Sequence, residues 1–175
     1  KSKKAIVFGG TSGIGLATCK ELQARGANVV SVSRNPNKAG TSIAGIRLAA
    51  VDARDSKAVG AFFESEGKID ILISSATGGS RAFGSFLEMD IDKFKGSFDK
   101  LWGYSNVVRY GAPKLSEDGN IVLVSGTPAR KMKPGQVALS TVGGAVEALA
   151  RAIAPEIAPK RINVVAPGIV DTPMV

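Results

Sequence analysis

Short apolar runs rich in β-branched residues alternate along the chain with stretches whose apolar positions recur at helical spacing. A strand buried on both faces reads as a continuous hydrophobic run, and a helix with one buried face repeats about every 3.6 residues. Ala5, Ile6, Val7 and Phe8 predict a first strand, followed by a glycine-rich turn and a helix with Ile14, Ala17, Thr18 and Leu22 on one face. Gly26 stops that helix before a second strand at Val29, Val30, Ser31 and Val32. Residues 35–45, with Pro, Gly and Ser, predict a loop with little room for a full helix. Further strands are expected at 46–51, 69–74, 121–125 and 162–166, and a short helix at 56–66. Two longer helical regions are expected at 86–115 and 137–157, the second with Val142, Val146, Leu149 and Ile153 at helix spacing and Pro155 kinking or ending it.

This alternation of strand and helix predicts a doubly wound parallel sheet in a three-layer α/β/α sandwich, with right-handed crossovers. No internal repeat, linker or low-complexity tract interrupts it, so residues 1–175 read as one domain.

Composition narrows the chemistry. With 44% hydrophobic and 22% charged residues the chain can bury a sizeable core. It contains no histidine, which excludes Ser-His-Asp hydrolysis, His-based zinc sites and imidazole acid-base catalysis. The lone Cys19 excludes a disulfide framework and a multi-cysteine metal site, and suits a reducing, cytoplasmic setting. Apolar runs look too short and too often broken to span a bilayer, and the start at Lys1 lacks the apolar stretch of a signal peptide. No membrane association is expected. The net charge of +8 invites a nucleic-acid partner, but the 23 basic residues are scattered and only 6% of residues are aromatic. A small anionic ligand accounts for the charge at least as well, and no nucleic-acid partner is expected.

The clearest chemical signal lies between the first strand and the first helix, at Gly9, Gly10, Thr11, Ser12, Gly13, Ile14 and Gly15. Glycines there let the backbone turn tightly and approach a pyrophosphate, whose charge suits a helix N-terminus. The second strand ends at Ser33 and Arg34, where an acidic residue would bind the ribose 2′-hydroxyl of NAD. A hydroxyl and a guanidinium favour a 2′-phosphate instead, so the expected cofactor is NADP(H).

These residues make the chain resemble the short-chain dehydrogenase/reductase family, over residues 4–173. The spacing G-x-x-x-G-x-G is that family's, with Phe8 where Thr is usual. Asp52, beside Ala53, matches the family's adenine-contacting Asp. Ser74-Ser75-Ala76-Thr77 stands where Asn-Asn-Ala-Gly is usual, placing Ser75 and Ala76 near the cofactor. Pro167, Gly168, Ile169 and Thr172 match the segment that touches the nicotinamide end. The resemblance implies a Rossmann-type fold, a small-molecule substrate, and a homodimer or homotetramer formed through the two long helices. Val107, Val108, Leu139, Val142 and Leu149 are candidates for that contact.

The family's chemistry normally uses a Tyr as proton donor, a Lys four residues later, a Ser at the carbonyl and an Asn in a proton relay. Alignment on Gly135 and the helix after it places Leu139 at the Tyr position and Gly143 at the Lys position. Gly126 falls at the Ser position, beside Ser125, and Lys100 at the Asn position. The pattern is similar to a divergent subgroup that has a Phe-Asp-x-Lys-x-Trp-Gly segment and no Tyr-x-x-x-Lys pair. Some relatives there are reductases that also catalyse a cyclisation, with an Asp where this chain has Lys133. The catalytic candidates are accordingly Lys100, Ser125 and Arg130, and no metal is expected. Two functions follow from the resemblance. One is reduction of a carbonyl, enone or iminium. The other is NADP(H) binding without redox turnover, as a sensor or a scaffold for non-redox cyclisation. The sequence ends at Val175, where family members continue into a substrate-covering segment and a last strand.

Overall fold

The structure, a computed structural model, describes residues 2–39, 43–77 and 79–172. Positions 40–42 of the expected loop, and Pro173 at the end of the resemblance, lie outside them. Six parallel strands form one sheet: β1 (Lys4–Phe8), β2 (Asn28–Ser33), β3 (Arg47–Ala50), β4 (Ile69–Ser74), β5 (Leu115–Val124) and β6 (Arg161–Val165). Their order is β3-β2-β1-β4-β5-β6. The order reverses beside β1, and that is the place where open α/β sheets bind ligands at the strands' carboxyl ends.

Helices cover the two faces unequally. Helix α1 (Gly13–Ala24) packs on one face, where Ala5, Val7, Cys19, Val29, Ile46 and Ile73 form the smaller core. Burial pushes the Cys19 thiol pKa up to about 11. On the other face lie α2 (Ser56–Glu66), α4 (Asp99–Gly111) and α5 (Val137–Ile157). Their Phe62, Phe63, Tyr104, Val107, Val146 and Ala150 close on Ile6, Phe8, Val30, Leu72 and Ile121 in the larger core. Phe8, Phe62 and Phe63 meet ring to ring with centroids 5.4–5.8 Å apart. A phenyl ring at position 8 thus anchors the second layer from the strand that leads into the glycine turn.

Several expectations change. The region 86–115 is not one helix. A 3-10 turn (Phe86–Glu88), a short α3 (Ile91–Gly96) capped by the Asp90 carboxylate, α4, and a 3-10 turn (Ala112–Lys114) containing Pro113 succeed one another. Strand β5 begins six residues earlier than its apolar run. Leu115 pairs with Ile69, the ladder slips, and pairing resumes at Asn120 with Ile71. Pro155 does not end α5, which continues two residues further to Ile157.

Helix α5, at 21 residues and with a mean hydropathy of 1.4 over its best window, is long and apolar enough to cross a membrane, against the expectation that no segment is. Here it packs on β6 and α4. Ala138, Val142, Gly143, Val146, Glu147 and Ala150 are buried along it, and Glu147 is ion-paired. Val107, Val108 and Val142, expected to offer an oligomer surface, are consumed by the protein's own interior.

Candidate functional site

A cleft of about 860 Å³ runs across the carboxyl ends of β1, β2, β4 and β5. Its floor is the glycine turn. Gly9 has φ +79°, and a Cβ there would come within 2.6 Å of the Ala76 amide nitrogen. A Cβ on Gly15 would strike the Gly9 carbonyl and come 2.6 Å from Ser75 Oγ. The turn can pack this closely against Ser75 and Ala76 only because these side chains are absent. Ser12 caps α1 with extended backbone and makes no side-chain capping bond, so the first turn of the helix has no side-chain acceptor there. Thr11 and Ile14 also line the cleft. The carboxyl segment 167–172 returns over this turn: a Cβ on Gly13 would meet the Thr172 side chain at 3.3 Å.

At one end of the cleft stand Ser33, Arg34, Asp52 and Ala53. Ser33 Oγ is buried with no hydrogen-bond partner among the described residues, a polar atom whose burial is costly unless a ligand answers it. Asp52 accepts from the Arg54 guanidinium at 2.7 and 3.0 Å and from its amide at 2.9 Å. Those bonds hold its carboxyl below the usual carboxylate range. Arg54 also reaches Asp99 at 3.2 Å, and Asn106 donates to the Ala53 carbonyl at 2.9 Å. The turn after β3 is thereby fixed to α4.

In the middle, the Ser75 hydroxyl donates to the Phe8 carbonyl at 3.1 Å, and its amide donates to the same oxygen at 2.9 Å. Ala76 lies against Gly9. Pro167, Gly168 and Ile169 border the opening, with the Pro167 carbonyl accepting from the Thr127 amide at 2.9 Å.

The far end holds Lys100. Its ammonium sits 5.4 Å from the centroid of the Tyr104 ring, a cation–π contact. Burial, with repulsion from Arg81, lowers its pKa to about 8. Tyr104 itself is buried and donates to the Val124 carbonyl at 2.8 Å. Burial raises its pKa, so it is a poor proton donor and a rigid support for the lysine. The buried Ser125 hydroxyl donates to the Gly143 carbonyl at 3.2 Å, joining the end of β5 to α5. Gly126, Leu139 and Gly143 line the same end of the cleft.

Of the residues that sequence reasoning selected, all but Arg130 come together around this one cleft. Arg130 is not among the lining residues. Its Nε donates to the Glu147 carboxylate at 3.1 and 3.2 Å, so it neutralises a buried acid on α5. Sequence reasoning passes over Arg54 and Arg81 and reads Tyr104 only as a core or subunit-contact residue, and the core is where the structure buries it. Arg54 was signalled by its place two residues after Asp52, and Tyr104 by its place one helical turn after Lys100. Nothing local points to Arg81. Among the described residues no group of three or more His, Cys, Asp or Glu is placed to hold a metal ion.

Comparison with known proteins agrees with this arrangement. The family profile described as short chain dehydrogenase matches residues 3–175. The Escherichia coli K12 protein "Oxidoreductase UcpA" is 32% identical over 188 residues, covering 98% of this chain and 71% of that protein. The L-xylulose reductase of Mesocricetus auratus is 30% identical over 181 residues, covering 98% of this chain and 73% of its own. A small-chain dehydrogenase solved in complex with NADPH superposes with a TM-score of 0.86 at 31% identity, covering 98% of this chain and 73% of that one.

Proposed function

Because the chain belongs to the short-chain dehydrogenase/reductase family of oxidoreductases, we propose that it is an NADP(H)-dependent reductase of a small-molecule carbonyl, enone or iminium in which Lys100 takes over the work of the family's usual acid-base residues. The tightly packed glycine turn at the start of α1 and the unpartnered Ser33 hydroxyl fit such a cofactor. The pyrophosphate belongs at the amides of residues 11–15, and the 2′-phosphate at Ser33 and Arg34. Asp52 and Ala53 serve the adenine. Ser75, Ala76, Pro167, Gly168, Ile169 and Thr172 flank the ribose and nicotinamide end. When bound, the nicotinamide supplies hydride to the substrate.

The observation that carries this reading is the position of Lys100. It is the ammonium in the cleft that is supported on an aromatic ring, and Leu139 and Gly143, which line the same cleft, offer no acid or base. A substrate oxygen that gains negative charge needs a positive neighbour or a proton. Lys100 supplies both: with a pKa near 8 it is mostly protonated at neutral pH, yet releases its proton more readily than an ordinary lysine. Ser125, held on the Gly143 carbonyl, fixes the loop that faces it.

The same lining favours a second reading, an NADP(H)-binding protein without redox turnover, since Leu139, Gly143 and Gly126 cannot transfer protons. Following NADPH absorbance with a panel of carbonyl and cyclic iminium compounds separates the two. Oxidation that drops about a hundredfold in Lys100→Ala, with NADPH binding intact, supports the reductase. Tight NADPH binding without oxidation of any compound supports the second reading. Arg34→Ala should weaken NADPH by about tenfold or more and leave NADH unchanged, the loss of one charge-assisted contact.

Assembly follows the same proposal: a homodimer or homotetramer through α4 and α5. The supporting residue differs from those first expected. Trp102, on α4, is 58% exposed, and aromatic residues of that kind are enriched in subunit contacts.

A further inference from the structure

We propose that the substrate carries an anionic group, a carboxylate or a phosphate, held by Lys133 with Arg81 and Lys131 beside it, while Lys100 meets the reacting oxygen. This inference rests on the reductase reading above and narrows its substrate class. Six basic side chains line the cleft, against two acidic ones. Both acids, Asp52 and Asp99, are bonded to Arg54, and Arg34 belongs to the nucleotide end. The remaining lining cations, Arg81, Lys100, Lys131 and Lys133, all belong to the far end.

Backbone hydrogen bonds bring the segments that carry them together. The Ala82 amide donates to Ser97 Oγ at 2.9 Å, and the Gly84 amide donates to the Gly135 carbonyl at 3.0 Å. The strand of chain bearing Arg81 and Phe83 is thereby tied on one side to the start of α4, which presents Lys100. On the other side it is tied to the loop that presents Lys131 and Lys133. Gly79 lies so close to Asp99 that a Cβ would collide with its carboxylate. The segments that carry the cations are thus gathered by hydrogen bonds to main chain, and like charges brought to one end of a cleft favour an anion there. Arg81 already repels the Lys100 ammonium. Phe83, Leu139 and Val142 line the same cleft and offer apolar contact to the rest of such a substrate. An iminium, being a cation, is the poorest match to this end of the cleft.

Calorimetric titration of the NADPH-saturated protein tests the inference. The probes are pyruvate and phenylpyruvate against their methyl esters, and dihydroxyacetone phosphate against dihydroxyacetone, each at low and high salt. At least one anion should bind about tenfold tighter than its neutral counterpart. That gap should shrink at high salt and close in Lys133→Gln, and the pair that shows it distinguishes carboxylate from phosphate. The inference is overturned if every neutral probe binds as tightly as its anion, or if the gap persists in Lys133→Gln. Loss of anion selectivity in a protein that binds and oxidises NADPH overturns this inference alone. Failure to bind NADPH overturns the reductase reading with it.

Discussion

Around Gly9 to Gly15 the cleft is shaped by main chain, with glycines packed where no side chain fits, whereas around Lys100 it is shaped by side chains from three segments joined by hydrogen bonds. The first kind of site tolerates almost no change in the residues that make it and demands little of them chemically. The second is chemically specific and sterically forgiving. On the proposed reading the first is kept and the second rewritten: a glycine turn lies in the same cleft as Leu139 and Gly143, which carry no acid or base. Fold and cofactor site therefore say little about chemistry, which depends on the far end.

The contrast is sharpest in Gly15→Ala. The new Cβ would collide with the Gly9 carbonyl and crowd Ser75 Oγ, so NADPH affinity should fall by about a hundredfold or more, or about 3 kcal/mol. Fluorescence titration of NADPH reads this directly. Retained affinity would show that the turn is less constrained than its contacts imply.

At the far end, Lys100→Met should do the reverse and leave the nucleotide bound while turnover is lost. The folded pKa of Lys100, about 8, lies below its ordinary 10.5, so between those values the unfolded chain holds more protons and stability rises with pH. Below pH 8 the folded protein carries the full cost of a buried ammonium. Lys100→Met removes it and should raise stability at pH 7 by on the order of 1–3 kcal/mol, measured by denaturant unfolding, and flatten the rise above pH 8. Turnover in the parent protein should fall as pH rises through about 8, as the ammonium is lost. Activity that increases across that range would reverse the assigned role of Lys100.

The smallest effect is expected just outside the cleft. Arg130→Ala should leave turnover within about twofold, because the guanidinium serves Glu147. The Arg130 side chain is 66% exposed and Arg151 stands 3.8 Å from the same carboxylate, so the stability cost should be about 1 kcal/mol. A large loss of kcat without loss of stability would return Arg130 to the catalytic machinery.

The nucleotide end was legible because its signal is local. Strand, glycine turn and helix follow one another within a few residues, and Ser33, Arg34 and Asp52 each stand at a strand's carboxyl end. Six strands emerged from apolar runs for the same reason. What local pattern could not convey was pairing across distance. The early start of β5 depends on Leu115 finding Ile69 through a polar stretch. Arg130 looked like a cleft residue because its buried partner, Glu147, lies on the next helix. Arg81 gains meaning only through the bonds from Ala82 to Ser97 and from Gly84 to Gly135, which no periodicity announces. Lys100 was legible by alignment, but its support on Tyr104 and its loosened proton required the packing.

Burial of Cys19 on the sheet-facing side of α1 makes the protein convenient to probe. A thiol with a pKa near 11 is almost wholly protonated at neutral pH, and the thiolate is the form that attacks a maleimide. The sequence has no other cysteine. A cysteine introduced at Leu87, which is 93% exposed, would therefore take a fluorophore almost alone, without first removing the native thiol.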